Sequence, residues 1–395
     1  MRTVEEHQQV VAGLISAPAA VTVPLADALG LALAEDVVAP LSLPGFDNSA
    51  MDGYAVLATD VATASAEKPV KLPVAEDIPA GRTDLLTLAP GTAHRIMTGA
   101  MLPAGATAVV QVEATDGATD VVSIYSAVPE GRSIRRAGED VTAGMTVLPA
   151  GEVLSPAALG LAAALGLAEL KVIPRQRVLV LSTGTELVTP GTPLQPGQIY
   201  ESNAVMLAAA LRDAGADVTT APATSDDVAL FRETLAGHAR DVDLIVTTGG
   251  VSAGAYEVVK DALSGDVEFV KVAMQPGMPQ GAGTVNGTPI VTLPGNPVSA
   301  LVSFEVFIRP PLRAAMGLPS QRPRRSATLT EKLTSPAGKR QFRRGVLGTD
   351  AQVSSYGPPA SHHLRWLATA NCLLDIGEDV IELAAGSPVP VWDLS

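Results

Sequence analysis

Thr247 and Thr248 run into Gly249 and Gly250, followed by Ser252 and Gly254, in the stretch TTGGVSAG. Glycines in such a turn let backbone N–H groups approach an anion closely, and a helix starting just beyond adds its positive N-terminal end. That chemistry suits a phosphate or another oxyanion. A second set of residues suits the opposite charge. Asp52, Asp140, Glu186 and Asp226, if they converge, supply hard oxygen ligands of the kind Mg²⁺ takes. Together the two sets point to a phosphorylated ligand handled with Mg²⁺. Taken singly, each is ordinary: the glycines make a tight βα turn, and each carboxylate reads as a helix cap or a surface group.

The elements around these residues are of the kind that could bring them together. Asp243 precedes a β-forming run, Leu244–Val246, and apolar residues at 256, 258, 259, 262 and 263 after the glycines have helical spacing. From Arg177 onward such strand and helix patterns alternate, the signature of a parallel sheet. Strands are expected at 178–181, 217–221, 244–248, 267–272 and 289–293. Helices are expected at 204–214, entered from Ser202 and Asn203, and at 228–239, announced by Ser225, Asp226 and Asp227. Another follows LPGN, with Asn296 as cap and Pro297 at the first helical position. Three strands therefore end in polar or glycine loops, 182–186, 247–254 and 294–296. Parallel strands share a carboxyl edge, so all three loops should face one crevice.

Before this region, residues 3–15 and 27–35 read as two short helices. PGFDNSAMDGYAV (44–56) is turn-rich and crowded with polar side chains, and short β runs at 70–74, 94–97, 108–112 and 121–125 describe a mostly β segment. Within it Thr98, Glu139 and Asp140 stand beside glycines. Ser155 and Pro156 open a buried helix over 154–170. After the α/β region, Pro310 and Pro311 read as its end and LPSQRPRRS as a linker. Residues 327–394 alternate β runs with Gly/Pro turns. Between Arg322 and Arg344 stand eight basic residues and a single acid, Glu331, a run that could face an anion.

Composition removes several classes of function. The 395 residues suggest about two to four domains. With 41 acidic residues against 27 Lys plus Arg, the formal net charge is −14, which argues against general nucleic-acid binding, because phosphate affinity needs a basic face. One cysteine, Cys372, can form neither an intrachain disulfide nor a multi-thiolate metal site, and fits a reducing cytoplasm. Two glutamates in MRTVEEHQQ occupy the place of a signal peptide's apolar core, and no tract approaches the roughly 20 apolar residues of a membrane span. GxGxxG, GxxxxGK[ST] and GxSxG are all absent, so dinucleotide, P-loop and hydrolase-elbow readings lose their main support. The five histidines lack metal-ligand spacing, and His362 and His363 read as neighbours pointing apart on a strand.

The motifs, in order, resemble the MoeA family, the molybdopterin molybdenumtransferases that share their fold with the gephyrin E domain. The matching stretches are PGFDNSAMDGYAV (44–56), IMTGAMLPAGA (96–106), GED (138–140), STGTEL (182–187), TTGGVSAG (247–254), LPGNPVSA (293–300), ASHHL (360–364) and TANCL (369–373). The resemblance implies a multidomain α/β protein with four parts. These are a helical N-terminal domain over 1–43 plus 145–174, an inserted mostly β domain over 44–144, a parallel-sheet molybdopterin-binding domain over 175–319, and a C-terminal small β barrel over 320–395. It implies a homodimer whose cleft combines the α/β domain of one subunit with the early β domain of the other. The implied reaction cleaves adenylylated molybdopterin, releases AMP and inserts molybdate at the dithiolene sulfurs with Mg²⁺. The adenylylating enzyme and apo molybdoenzymes are the implied partners. By the same resemblance Asp52, Asp140, Glu186 and Asp226 are catalytic, with Asp52, Glu186 and Asp226 also holding the cation. Thr98, Ser182, Thr183, Gly184, Thr248, Gly249, Gly250, Ser252, Lys271, Pro294, Gly295, Asn296, Arg344 and Ser361 bind substrate.

The departures from the family pattern concern charge. Ala255 stands where an acid is usual, Gln275 and Met278 stand where lysines are usual, and Thr185 replaces an Asp. Losing opposite charges together keeps a pocket balanced, since unpaired buried charge is costly. These changes motivate an alternative reading, a non-catalytic pterin-binding or scaffold protein that has lost turnover; the retained Asp52, Asp140, Glu186 and Asp226 argue against it. A third reading, adenylylation of molybdopterin, has the α/β domain in its favour and the flanking domains against it.

Overall fold

The computed structural model describes residues 1–222, 227–250 and 258–394. The chain divides into two compact units. One comprises Met1–Thr22, Gly30–Ala34 and Lys171–Ser395, and the other Val23–Leu29 and Glu35–Leu170.

The first unit is built on a sheet whose strands are β1 (Arg177–Ser182), β2 (Asp217–Thr220), β3 (Leu244–Thr248), β4 (Val267–Lys271), β5 (Pro279–Val285) and β6 (Thr288–Leu293). Their order is β2-β1-β3-β6-β5-β4, with β2, β1, β3 and β6 mutually parallel and β5 antiparallel to both its neighbours. The wholly parallel pattern expected from the sequence thus needs one amendment. Strand β5, PQGAGTV, has three small residues at its centre and no apolar run to announce it. Those glycines are required by close neighbours: a Cβ on Gly281 would lie 2.1 Å from Thr292 Oγ1, and one on Gly283 would lie 2.1 Å from Asp266 O.

Alternation sorts the strand residues onto two cores, as a sheet buried on both faces requires. Val178, Val180, Leu244, Val246, Val291 and Leu293 pack with Val4 and Val11 of α1 (Val4–Leu14) and Leu207 and Leu211 of α2 (Asn203–Asp213). Leu179, Leu181, Ile245 and Ile290 pack on the other side with Phe231 and Leu235 of α3 (Val228–His238) and Val258, Val259 and Ala262 of α4 (Val258–Ala262). The helix starts follow capping rules. Thr3 and Glu6 form a reciprocal capping box on α1, and Asp227 accepts from the N–H groups of Ala229 (2.8 Å) and Leu230 (3.1 Å) at α3. Ser225 and Asp226, also expected there, lie outside the described residues.

Two helix expectations are overturned. Residues 27–35 are not helical, because Gly30 adopts φ 75° and Ala32–Leu33 continue as a short strand. Pro310 and Pro311 do not end the α/β region either. Helix α5 (Pro297–Ser303) passes through a π-helical turn, Phe304–Ile308, into a further helix, Arg309–Ala315, with prolines in its first turn, where a missing N–H is tolerated.

The first unit closes with a barrel of β7 (Arg324–Leu329), β8 (Arg340–Leu347), β9 (Gln352–Ser355), β10 (Cys372–Ile376) and β11 (Pro388–Asp393). The order β8-β9-β7-β11-β10 returns to β8. Met274–Gln275, between β4 and β5, pairs with Arg340–Gln341 of β8, which ties the barrel to the sheet. The basic run at 322–344 is largely used internally. Arg322 pairs with Glu305 and Asp213, Arg325 with Asp393, Lys332 with Glu382, and Arg340 with Glu5 and Asp375.

The second unit is mostly β. Its main sheet has the order Ala108–Gln111, Gly53–Val56, Ala93–Ile96, Val70–Ile78, Val121–Ile124. The helix expected over 154–170 begins at Ser155, whose side chain accepts from Ala158 N, with Pro156 in the first turn, but it is shorter and less buried than expected: it spans Pro156–Ala164 with only Ala158 and Ala162 buried, Gly166 follows at φ 78°, and Glu169–Ile173 is a strand. Among the described residues no helix is long and apolar enough to cross a membrane.

Candidate active site

The carboxyl ends of β1, β3 and β6 open onto a cleft of about 1290 Å³. Thr183, Gly184 and Glu186 line it after β1, Thr248, Gly249 and Gly250 at β3, and Pro294, Gly295 and Asn296 after β6. The loops expected to share one crevice do so, because parallel strands in register deliver their ends together: Ser182 stands opposite Thr248, and Thr248 opposite Leu293. Lys271 at the end of β4 lines the same cleft, as do Lys260, Gln275, Met278 and Ser361.

The β1 and β3 loops approach each other at a backbone contact that only glycine allows. A Cβ on Gly249 (φ 88°) would lie 2.7 Å from Thr183 O, whereas one on Gly184 would meet only the Glu186 carboxylate of its own loop, at 2.6 Å. A Cβ on Gly295 would in turn lie 3.4 Å from the Cα of Gly249. The Gly249 N–H donates to Leu293 O (3.2 Å) and the Thr183 N–H to Thr248 O (3.0 Å). Both amides are therefore engaged within the fold, which narrows the expected role of the glycine turn. At Gly249 the glycine provides close packing between loops and not an open anion-binding N–H.

Two buried polar residues at the cleft, Glu201 in its lining and Gln280 behind it, stand out in no sequence motif. Glu201 is buried and lines the cleft, and its Oε1 accepts from Ser182 Oγ (2.9 Å) and from the Ala204 N–H (2.8 Å). Ser182 Oγ also lies 3.0 Å from Thr248 Oγ1. The α2 cap is thus made by Glu201, while Ser202, at the cap position, contributes no side-chain hydrogen bond. Asn203 Nδ2 donates to Gly295 O (2.7 Å). Gln280 is buried, and its amide donates to Gly277 O and Ser303 Oγ, both at 2.6 Å, pinning the 275–279 wall to the end of α5. Gln275 Oε1 accepts from Gln341 Nε2 (2.7 Å), so this neutral side chain is held by the barrel.

Ser182 and Arg344 lie behind the cleft wall. Arg344 is buried, and its guanidinium donates to His363 O (2.9 Å) and Pro358 O. Burial and the neighbouring Arg343 push its pKa down. Its contacts fix the loop that carries Ser361, whose carbonyl accepts from the Val298 N–H (3.0 Å) at the start of α5. His362 and His363 sit in that loop with ring centroids 4.4 Å apart, in place of pointing apart on a strand. Asn296 precedes α5 without a side-chain capping bond.

Asp52, Thr98 and Asp140 belong to the second unit. Asp52 Oδ1 accepts from both the backbone N–H and the hydroxyl of Thr98, each at 2.7 Å, and these bonds hold its carboxyl below the usual carboxylate range. Asp140 is exposed, and its N–H donates to Leu43 O (3.1 Å). Asp226, Ser252 and Ala255 lie outside the described residues. Among the described residues no three His, Cys, Asp or Glu side chains come together as a metal cage. The donor set present suits a cation that keeps most of its waters and is shared with ligand oxygens, as Mg²⁺ commonly is, with exposed Glu186 as the described cleft carboxylate not already engaged as a helix cap.

Comparisons with known proteins cover the whole chain. Residues 2–166 match the MoeA N-terminal region (domain I and II), 179–314 a probable molybdopterin binding domain, and 326–394 the MoeA C-terminal region (domain IV). The chain is 69% identical to molybdopterin molybdenumtransferase 2 of Mycobacterium tuberculosis over 100% of both chains. It is 39% identical to molybdopterin molybdenumtransferase 1 of the same organism, over 99% of this chain and 98% of the other. A crystal structure of a molybdopterin biosynthesis MoeA protein from Pyrococcus horikoshii superposes with a TM-score of 0.79 at 27% identity, covering 100% of both chains. With this agreement from end to end, the chain belongs to the MoeA family of molybdenum cofactor biosynthesis proteins.

Proposed function

We propose that this protein is a molybdopterin molybdenumtransferase that inserts molybdate into adenylylated molybdopterin with release of AMP. The observation that carries the reading is the joining of the β1, β3 and β6 loops with the barrel's Ser361 loop around one cleft, in a chain that matches the family throughout. Lys271, exposed at the cleft edge, contributes positive charge toward an anionic substrate. Glu186, beside Gly184, would be the described carboxylate that holds Mg²⁺, and Asp226 is the second acid that family resemblance assigns to it. When bound, such an ion neutralises phosphoryl charge as the P–O bond breaks. Thr183, Thr248 and Gly250 shape the wall on which the substrate rests. The reading includes a homodimer, an adenylylating enzyme as supplier and apo molybdoenzymes as recipients.

One observation favours the alternative, a pterin-binding scaffold. Gln275 and Met278 present neutral side chains to the cleft, and the Gln275 amide is engaged by Gln341. Purified protein is supplied with adenylylated molybdopterin, molybdate and Mg²⁺, and AMP release and activation of an apo molybdoenzyme are followed. Both products are expected. Saturable binding of the pterin with neither product overturns the enzyme reading in favour of the scaffold.

A further inference from the structure

Three strand-end loops need something to fix their relative positions, because the residues they bring to the cleft, Thr183, Gly184 and Glu186, Thr248, Gly249 and Gly250, and Pro294, Gly295 and Asn296, include no large apolar side chain. The segment Glu201–Asn203 reaches all three. It follows the short strand Ile199–Tyr200 and ends on the first residue of helix α2. Glu201 Oε1 takes the Ser182 hydroxyl at the end of β1 and the Ala204 amide at the start of α2. The Ser182 hydroxyl makes the bridge to Thr248 Oγ1 at the end of β3. Two residues on, Asn203 Nδ2 holds the Gly295 carbonyl in the loop after β6. One end of α2 is thereby connected by side-chain hydrogen bonds to each loop.

The chemistry of the connection favours a positioning role. Glu201 is only 8% exposed, and a buried carboxylate is retained at a cost unless its hydrogen bonds are made. A simple helix cap could be supplied by Ser202, which stands at the cap position and makes no such bond. A carboxylate that accepts from both the helix amide and the strand-end hydroxyl also sets the distance between them. Bonds to a charged acceptor are stronger than neutral ones, which suits a part that must not drift.

We propose that Glu201 and Asn203 are the positioning residues of the cleft, a clamp at the start of α2 that holds the β1, β3 and β6 loops in the geometry turnover needs. The clamp rests on the molybdenumtransferase reading only for its kinetic arm. Glu201→Ala removes the shared acceptor, Glu201→Gln preserves an oxygen that can accept both bonds, and Asn203→Ala releases the Gly295 loop alone.

The test uses the full chain and two readouts. Hydrogen exchange is followed by mass spectrometry in peptides covering 182–187, 248–250 and 294–296, and in barrel peptides covering β8 and β10 as an internal reference. Turnover is followed as AMP release from adenylylated molybdopterin. In Glu201→Ala the 182–187 and 248–250 peptides should exchange faster while the barrel peptides do not change. Its kcat/KM should fall roughly 100-fold, the scale set by misplacing a reacting group by about an ångström. Asn203→Ala should loosen 294–296 selectively, and Glu201→Gln should recover most of the lost kcat/KM. The clamp is overturned if Glu201→Ala leaves loop exchange unchanged. It is equally overturned if exchange rises uniformly across barrel and loops with no recovery in Glu201→Gln, the behaviour of a residue that only stabilises the fold. If the wild-type chain releases no AMP, the functional reading fails while the exchange comparison still decides the clamp.

Discussion

Replacing Gly249 by alanine separates two physical costs at the centre of the cleft. The residue has φ 88°, where an L side chain is strained by about 1–2 kcal/mol. Its added methyl would meet Thr183 O at 2.7 Å, a backbone atom that cannot rotate away, and overpacking of this kind costs about 1–3 kcal/mol. Together these give roughly 2–5 kcal/mol, reduced by the ~0.4–1 kcal/mol that alanine gains through a less flexible unfolded chain. Gly191→Ala is the control, because Gly191 has φ 94° and no atom within 4 Å of its would-be Cβ, so it carries strain without a clash. Thermal unfolding should place Gly249→Ala several degrees below Gly191→Ala. If the turn relieves the clash by moving, it carries Thr183 and Gly184 with it, and AMP release should fall by roughly 100-fold. A Gly249→Ala protein with the melting temperature and turnover of Gly191→Ala would refute the claim that contact between these two loops builds the site.

The remaining predictions concern charge and titration. Asp52→Ala and Glu186→Ala should each lower AMP release at least ~10-fold while leaving oligomeric state as in the wild type, with the melting temperature unchanged in Glu186→Ala and lowered in Asp52→Ala, where the Thr98 N–H and hydroxyl lose their acceptor; wild-type rates in both would show that the chemistry lies elsewhere. Arg344→Lys cannot reproduce the two guanidinium bonds to His363 O and Pro358 O, so it should destabilise by about 1–3 kcal/mol and raise hydrogen exchange in 358–363; an unchanged loop would remove Arg344 from its supporting role. His7 is buried against Phe307, and burial followed by the charge of Arg2 lowers its pKa to about 4. The unfolded chain then binds more protons between pH 4 and 6.5, so stability should be lost as pH falls through that window, and His7→Leu should flatten this part of the denaturation profile. Burial, with Asp393 adding to it, pushes the Cys372 thiol up to about 12, so iodoacetamide at pH 8 should label it only under denaturing conditions.

Most of the α/β unit could be read from the chain, because periodicity reports burial and burial decides these elements. Strands β1, β2, β3, β4 and β6 and helices α2 and α3 fall where alternation, apolar runs and capping residues put them. Elements fixed by neighbours instead of by their own pattern were not legible. β5 is assembled from small residues because Thr292, Phe269 and the 266–267 backbone leave no room for larger ones. The helix expected at 27–35 has suitable apolar spacing, but a glycine at φ 75° interrupts it. The paired prolines at 310 and 311 signal a helix end in one dimension, whereas a π-helical turn just before them makes their missing N–H groups harmless.

The cleft divides along the same line. Its loops were legible because each is the carboxyl end of a strand, and sheet topology alone brings such ends together. Its internal bonding was not, because bonds such as Glu201 to Ser182 join residues 19 apart whose encounter depends on the path of the chain between them. In sequence Glu201 looks like one more acid ahead of a helix and Ser202 like the better cap. In the fold the nearer side chain goes unused as a cap, and the more distant carboxylate takes both the helix amide and the strand-end hydroxyl. The same logic applies to Arg344. A buried guanidinium that lies behind the cleft wall and donates to His363 O and Pro358 O braces the loop whose Ser361 carbonyl accepts from the Val298 N–H at the start of α5. A residue behind the wall is thereby tied to a residue that lines it, Ser361, by bonds between positions that no local sequence pattern brings together.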